Sequence, residues 1–190
     1  MNETDAELIE QCLSGQAAAF GQLVQRHQNR LFNSLYRMLG SREDADDVAQ
    51  EAFVAAFQKL DTFRGDSQFY SWLFRIAYNT AISMKRKTKL KTVSADKLKE
   101  TSGHEPDDNT PEHRPEHGIE VEETQAAVQQ ALNELSDEYR EAIVLKEMEE
   151  LSYEEIAELA EVPIGTIRSR LHRARAELRE KLRLILEETP

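Results

Sequence analysis

Cysteine is nearly absent from this chain: among 190 residues only Cys12 carries a thiol, so an intramolecular disulfide is excluded. Cys12 sits among apolar neighbours and reads as a small buried hydrophobe rather than a redox sensor. Glycine and proline are scarce, seven and five, and runs of β-branched residues are missing, so almost no sheet is expected. No run of about 18 apolar residues occurs, nor a cleavable leader pattern, so the chain is expected to stay in the cytoplasm. A nucleotide-binding glycine loop and a nucleophile–base set are missing too; Ser14 and Ser34 have no such company. His113 and His117 have a zinc-like spacing with His104 nearby, but no cysteine or paired partner accompanies them. No metal, cofactor or small-molecule substrate is therefore expected, and the chain does not read as an enzyme.

What the chain has in plenty is charge, 32 % of its residues, with a net value of −12. The distribution says more than the sum. Between Pro163 and Arg183 lie seven Lys/Arg against only Glu177 and Glu180. A second basic run, Lys85-Arg86-Lys87 with Lys89 and Lys91, closes the first half. Two basic patches on an acidic chain point to two nucleic-acid contacts.

The stretch from Leu151 to Leu186 organises the C-terminal half. Ser152 is a good N-cap and Glu155 completes a capping box, so a short helix starts at Tyr153. Pro163 interrupts the register, and from Ile164 a long helix places Ile167, Leu171, Ala174, Leu178, Leu182 and Ile185 on one stripe. Thr166, Ser169, His172 and Arg173 point away from that stripe, with Arg168, Arg175 and Arg179 on its flank. A capped short helix, a tight turn and a longer helix with an Arg/Ser/Thr face make a helix-turn-helix, its second helix suited to the major groove. Glu161 occupies the turn position where glycine is common, a poor fit to a left-handed backbone. Upstream, helical periodicity runs through Val128, Leu132 and Leu135, and Ser136 caps a helix carrying Ala142, Ile143 and Leu145.

The N-terminal half reads as four helices. Thr4 with Glu7 forms a capping box for Ala6 to Leu13; a long helix follows through Phe20, Leu23, Leu31 and Leu35 to a stop at Gly40. Ser41 with Asp44 opens the third, with Val48, Ala52, Phe53, Ala56, Phe57 and Leu60 inward and an acidic outer face, Asp44 to Glu51. Acids in a first turn suit the macrodipole alone, or they form a docking surface. After the loop 61–68, a fourth helix carries Phe69, Trp72, Leu73 and Ile76 beside Arg75 and Asn79 and runs into the basic cluster. Rings beside cations suit single-stranded DNA, though the same spacing suits a core. Between the halves, Pro106, Pro111, Pro115 and a run of acids read as a flexible linker.

In this order the parts resemble the extracytoplasmic-function sigma factors of bacterial RNA polymerase. The resemblance rests on Asp44-Ala45-Asp46-Asp47-Val48-Ala49-Gln50-Glu51-Ala52-Phe53, on Phe63-Arg64-Gly65 with Trp72-Leu73-Phe74-Arg75-Ile76-Ala77-Tyr78-Asn79, and on Pro163-Ile164-Gly165-Thr166-Ile167-Arg168-Ser169-Arg170-Leu171. It implies an all-α chain of two small helical domains, 1–90 and 121–190, joined by a flexible acidic linker, 91–120. It also implies that Asp44, Asp47, Gln50 and Glu51 dock on the clamp helices of the RNA polymerase core. Arg64, Phe69, Trp72, Arg75, Asn79, Lys85 and Arg86 would then melt promoter DNA at the proximal element, with Leu73 and Ile76 as core. Thr166, Arg168, Ser169, His172, Arg173 and Arg175 would read the distal element. A sequestering anti-sigma factor is implied as a further partner. The acidic linker, tethered beside the basic faces, competes with phosphates, so the free protein is expected to bind promoter DNA weakly. The rival reading is a stand-alone helix-turn-helix repressor or activator that binds a palindrome without polymerase.

Overall fold

The computed structural model describes residues 3–95 and 117–188, with side chains over 3–88 and 124–187. Most of the expected linker, with His104 and His113, lies outside the described residues, as does the side chain of His117. Among the described residues every regular element is helical, and no helix is long and apolar enough to cross a membrane.

The first half is built from α1 (Asp5–Leu13), α2 (Ala18–Leu39), α3 (Arg42–Gln58), a single 3-10 turn (Leu60–Thr62) and α4 (Phe69–Ala95). Local chemistry sets the boundaries. The Thr4–Glu7 capping box closes, with the Thr4 N–H donating to Glu7 Oε2 at 2.6 Å. Gly40 ends α2 in the left-handed region, φ +78°, where a side chain is strained. The Ser41 hydroxyl accepts the Asp44 N–H at 3.2 Å to start α3. The inner face of α3 is largely alanine (Ala45, Ala49, Ala52, Ala56), which lets it approach α2 and α4 closely around Val48 and Phe53. Phe57, expected inside, is instead 46 % exposed and meets Phe20 edge-on at 5.0 Å. Ala56 takes the inward position, and one residue further turns the side chain by about 100°. Leu73 is fully buried as expected; Ile76 is half-buried against the core. Cys12 is likewise half-buried against it.

The second half is α5 (His117–Asn133), α6 (Asp137–Glu147), α7 (Tyr153–Leu159) and α8 (Ile164–Glu188), with α8 packed on the other three. Ser136 stands at the start of α6, but its side chain makes no capping bond. Its carbonyl serves the first turn instead, accepting from the Arg140 N–H at 2.9 Å. The stripe on α8 is confirmed where it meets the other helices, with Ile167, Leu171 and Ala174 buried, and Leu178 and Leu182 half-buried beyond them. Both ends of the expected linker are shorter than the composition implied, because α4 continues to Ala95 and α5 starts at His117. The two halves also touch: α6 and α5 lie against α2, and their buried residues join one apolar cluster.

Candidate nucleic-acid interface

The helix-turn-helix is set by two local devices. The Ser152 N–H donates to Glu155 Oε2 at 2.9 Å while the Glu155 N–H donates to Ser152 Oγ at 3.2 Å, a closed capping box that starts α7. Those bonds, the backbone one first, hold the Glu155 carboxyl below the usual carboxylate range. After α7, Glu161 takes φ +53°, the left-handed conformation that glycine adopts freely. Pro163 then opens α8, its carbonyl accepting from the Thr166 N–H at 2.8 Å.

Ion pairing sorts the cations of α8 into two groups. Arg170 is paired with Glu138 at 3.0 Å, Arg175 with Glu147 at 2.7 and 3.0 Å, Lys181 with Glu134 at 3.2 Å, and Arg183 with Glu180 and Glu187. Arg168, Arg173 and, further along the helix, Arg179 are exposed and make no ion pair among the described residues; Ser169 and His172 are exposed between the first two. Thr166 is half-buried, its carbonyl accepting from the Ser169 hydroxyl at 2.9 Å. The free face is thus Arg168, Ser169, His172 and Arg173, while Arg175 is on its edge and engaged.

In the first half, Phe69 is only 2 % exposed, so it forms a wall and offers no free stacking face. Trp72 is half-buried, with its ring 5.3 Å from Phe63 and 5.9 Å from Phe69. Phe63 and Phe69 line a cavity of about 590 Å³ beneath the 61–68 loop, where Gly65 has φ +77°. Its other walls come from α1 and α2 and were not legible in the sequence: His27 Nε2 lies 2.9 Å from Asp5, its ring against Phe69 at 5.4 Å and Tyr70 at 5.8 Å. The Arg30 guanidinium sits 3.8 Å over the Tyr70 ring. Arg64, Asn79 and Arg86 are exposed; Arg75 stands 3.9 Å from Glu155, and Lys85 3.2 Å from Asp137. On α3, Asp47, Gln50 and Glu51 are exposed and Asp44 half-exposed. Gln50 donates to Asp46 at 3.1 Å, leaving Asp44, Asp47 and Glu51 without an ion pair among the described residues.

A capped short helix, a tight turn and a long helix with free arginines, beside a second helical unit carrying an aromatic cavity, basic groups and a separate acidic face, define a helix-turn-helix transcription protein. Comparison with known proteins narrows this. Residues 23–90 match the model of Sigma-70 region 2, and residues 125–178 that of Sigma-70, region 4. The chain is 37 % identical to the RNA polymerase sigma-H factor of Pseudomonas aeruginosa over 98 % of its own length and 97 % of that protein's. It is 38 % identical to the ECF RNA polymerase sigma-E factor of Escherichia coli K12, covering 96 % of each. Among solved structures it resembles the sigma factor RpoE of Bartonella quintana in complex with the anti-sigma factor NepR, with a TM-score of 0.64 and 28 % identity over 90 % of this chain and 98 % of that one. It also resembles CnrH in complex with the cytosolic domain of CnrY, with a TM-score of 0.56 and 32 % identity over 96 % and 97 %. The chain belongs to the extracytoplasmic-function family of RNA polymerase sigma factors, and the stand-alone repressor or activator reading gives way to that.

Proposed function

We propose that this chain binds RNA polymerase core through the exposed acidic face of α3 and directs it to promoters read at two places. The observation that carries the proposal is the sorting of charge on α8: Arg168 and Arg173 are left free on one face while Arg170, Lys181 and Arg183 are neutralised on others. A helix kept for packing alone has no need of that division. Arg168, Ser169, His172 and Arg173 read the distal element in the major groove, with Thr166 at the N-terminal edge of the face. Arg175 joins them only by giving up Glu147, and then as a phosphate contact.

At the proximal element, Trp72, Arg75, Asn79, Arg64, Lys85 and Arg86 hold the melted strand, and Phe69 shapes the cavity wall. Unstacking a base costs a few kcal/mol and stacking on a ring returns about 1–3, so capture offsets opening without nucleotide hydrolysis. The chain supplies binding and no bond-making chemistry of its own, and it acts in the cytoplasm, where polymerase is. Units 1–90 and 121–190 carry the two contacts. An anti-sigma factor is a further partner, a reading supported by the partners named with the two structural neighbours.

Competition for core polymerase tests the docking face. Asp47→Arg with Glu51→Arg reverses two exposed charges on α3 and should weaken displacement of a labelled wild-type chain from core at least tenfold. Equal displacement by wild type and variant would remove α3 from the interface.

A further inference from the structure

Between about pH 5 and 8 only one side chain on the reading face of α8 changes charge, and that is His172. It is exposed, one turn beyond Arg168 and about 6 Å further along the helix axis. Its helical neighbours include no acid. The positions three and four residues away, where side chains meet, hold Arg168, Ser169, Arg175 and Ala176, and Arg173 adjoins it in sequence. The packed elements bring it no free carboxylate either. Glu134 at the end of α5 is taken by Lys181 at 3.2 Å, and on α6 Glu138 is taken by Arg170 at 3.0 Å and Glu147 by Arg175 at 2.7 Å. Tyr153 of α7 bonds the same Arg175 guanidinium. Among the described residues no acid of α7 or the turn after it, Glu154, Glu155, Glu158 or Glu161, pairs with α8; Glu155 closes its capping box and faces Arg75. His27 is the contrast, with its Nε2 held 2.9 Å from Asp5.

We propose that His172 is a proton-linked backbone contact: as imidazolium it donates to a phosphate oxygen at the distal element, so binding takes up a proton and promoter affinity rises as pH falls. The inference rests on the reading of α8 as the helix in the major groove. In a helix-turn-helix the first residues of the second helix reach base edges, and Arg168 and Ser169 fill that place. A short side chain one turn later meets the groove wall, which is phosphate. Protonation makes that bond charge-assisted and about twice as strong. Arg175 must leave Glu147 to reach DNA, whereas His172 has no ion pair to give up among the described residues. The bound form is the protonated one, so the extra affinity is full at the acid end of the range and is lost as pH rises. Arg168 stays charged throughout, so discrimination between intact and scrambled elements holds constant while affinity for both moves together.

The test is titration of promoter duplexes, intact and scrambled at the distal element, with polymerase reconstituted from core and the full chain. From about pH 8 to about pH 6 wild type should gain about fivefold more than His172→Gln on both duplexes. Core has its own pH response, equal in every variant, so the readout is the difference between variants. One more neutralised phosphate steepens the salt dependence by about 0.9 of a unit of slope. Over a rise in salt of about fourfold, wild type should therefore lose about threefold more affinity at the lower pH than at the higher. His172→Gln should show one slope at both pH values, and His172→Lys, charged throughout, should keep the steeper slope at both. Circular dichroism checks that each variant keeps its helicity at this exposed site. The inference is overturned if wild type and His172→Gln have parallel pH profiles, if the gain appears on the intact duplex alone, or if His172→Lys fails to hold the steeper slope. Parallel profiles with Arg168→Ala still losing the intact element would remove only the proton link. An Arg168→Ala variant that lost nothing on either duplex would bring down the reading of α8 and this inference with it.

Discussion

Arg168 and Arg175 lie seven residues apart on the same helix, yet their surroundings predict different consequences of losing them. Arg168 is exposed with no ion pair among the described residues, so its guanidinium can meet a base edge without first breaking a bond. A bidentate contact to guanine is worth about 1–3 kcal/mol of discrimination, so Arg168→Ala should cut binding to an intact distal element by about 5- to 150-fold. The same change should leave binding to a scrambled element nearly untouched. Arg175 is held on Glu147 by two bonds, and an exposed pair of this kind contributes about 0–1 kcal/mol. Arg175→Ala should therefore weaken binding only a few-fold, equally on intact and scrambled elements, and flatten the salt dependence by about one unit of slope. The assay is titration of promoter duplexes, intact and scrambled, with polymerase reconstituted from core and each variant. If the two substitutions lost the same amount on both duplexes, the division of α8 into reading and packing cations would be wrong.

The local devices make further predictions. Ser152→Ala removes the N-cap of α7 and should cost about 1 kcal/mol, seen as a lower thermal midpoint of unfolding. Glu161→Gly should relieve the left-handed backbone at φ +53° and raise stability by about 1 kcal/mol, with unchanged affinity for the distal element. The Glu155 carboxyl is depressed by Ser152 when folded, so its contribution is present above the ordinary value of 4.5 and is lost as pH falls through the depressed one. Thermal midpoints measured across that acid range should fall more steeply for wild type than for Glu155→Gln; parallel curves would contradict the assignment.

Short-range chemistry was readable in the sequence. The capping boxes at Thr4 and Ser152, the Ser41 cap and the Gly40 stop depend on residues three or four apart, and all appear where the pattern puts them. The same holds for Glu161, whose misfit to a left-handed turn is visible as a residue type at a position. What could not be read depends on partners far along the chain. Arg175 is engaged because Glu147, 28 residues earlier, faces it. Phe69 is a wall rather than a stacking surface because α1 and α2 bring rings and charges around it, and a three-and-four spacing is the same for both roles. The contact of α6 with α2 joins Ser34 to Glu149 across 115 residues, and no local pattern encodes it.

Transcription in vitro with purified bacterial core polymerase, on a pool of candidate promoters with and without this protein, tests the central claim most directly. The account predicts initiation at a defined subset of promoters that requires both core and this chain, and that is lost in Arg168→Ala. Initiation that is indifferent to the chain, together with tight binding of a palindrome by the chain alone, would contradict it.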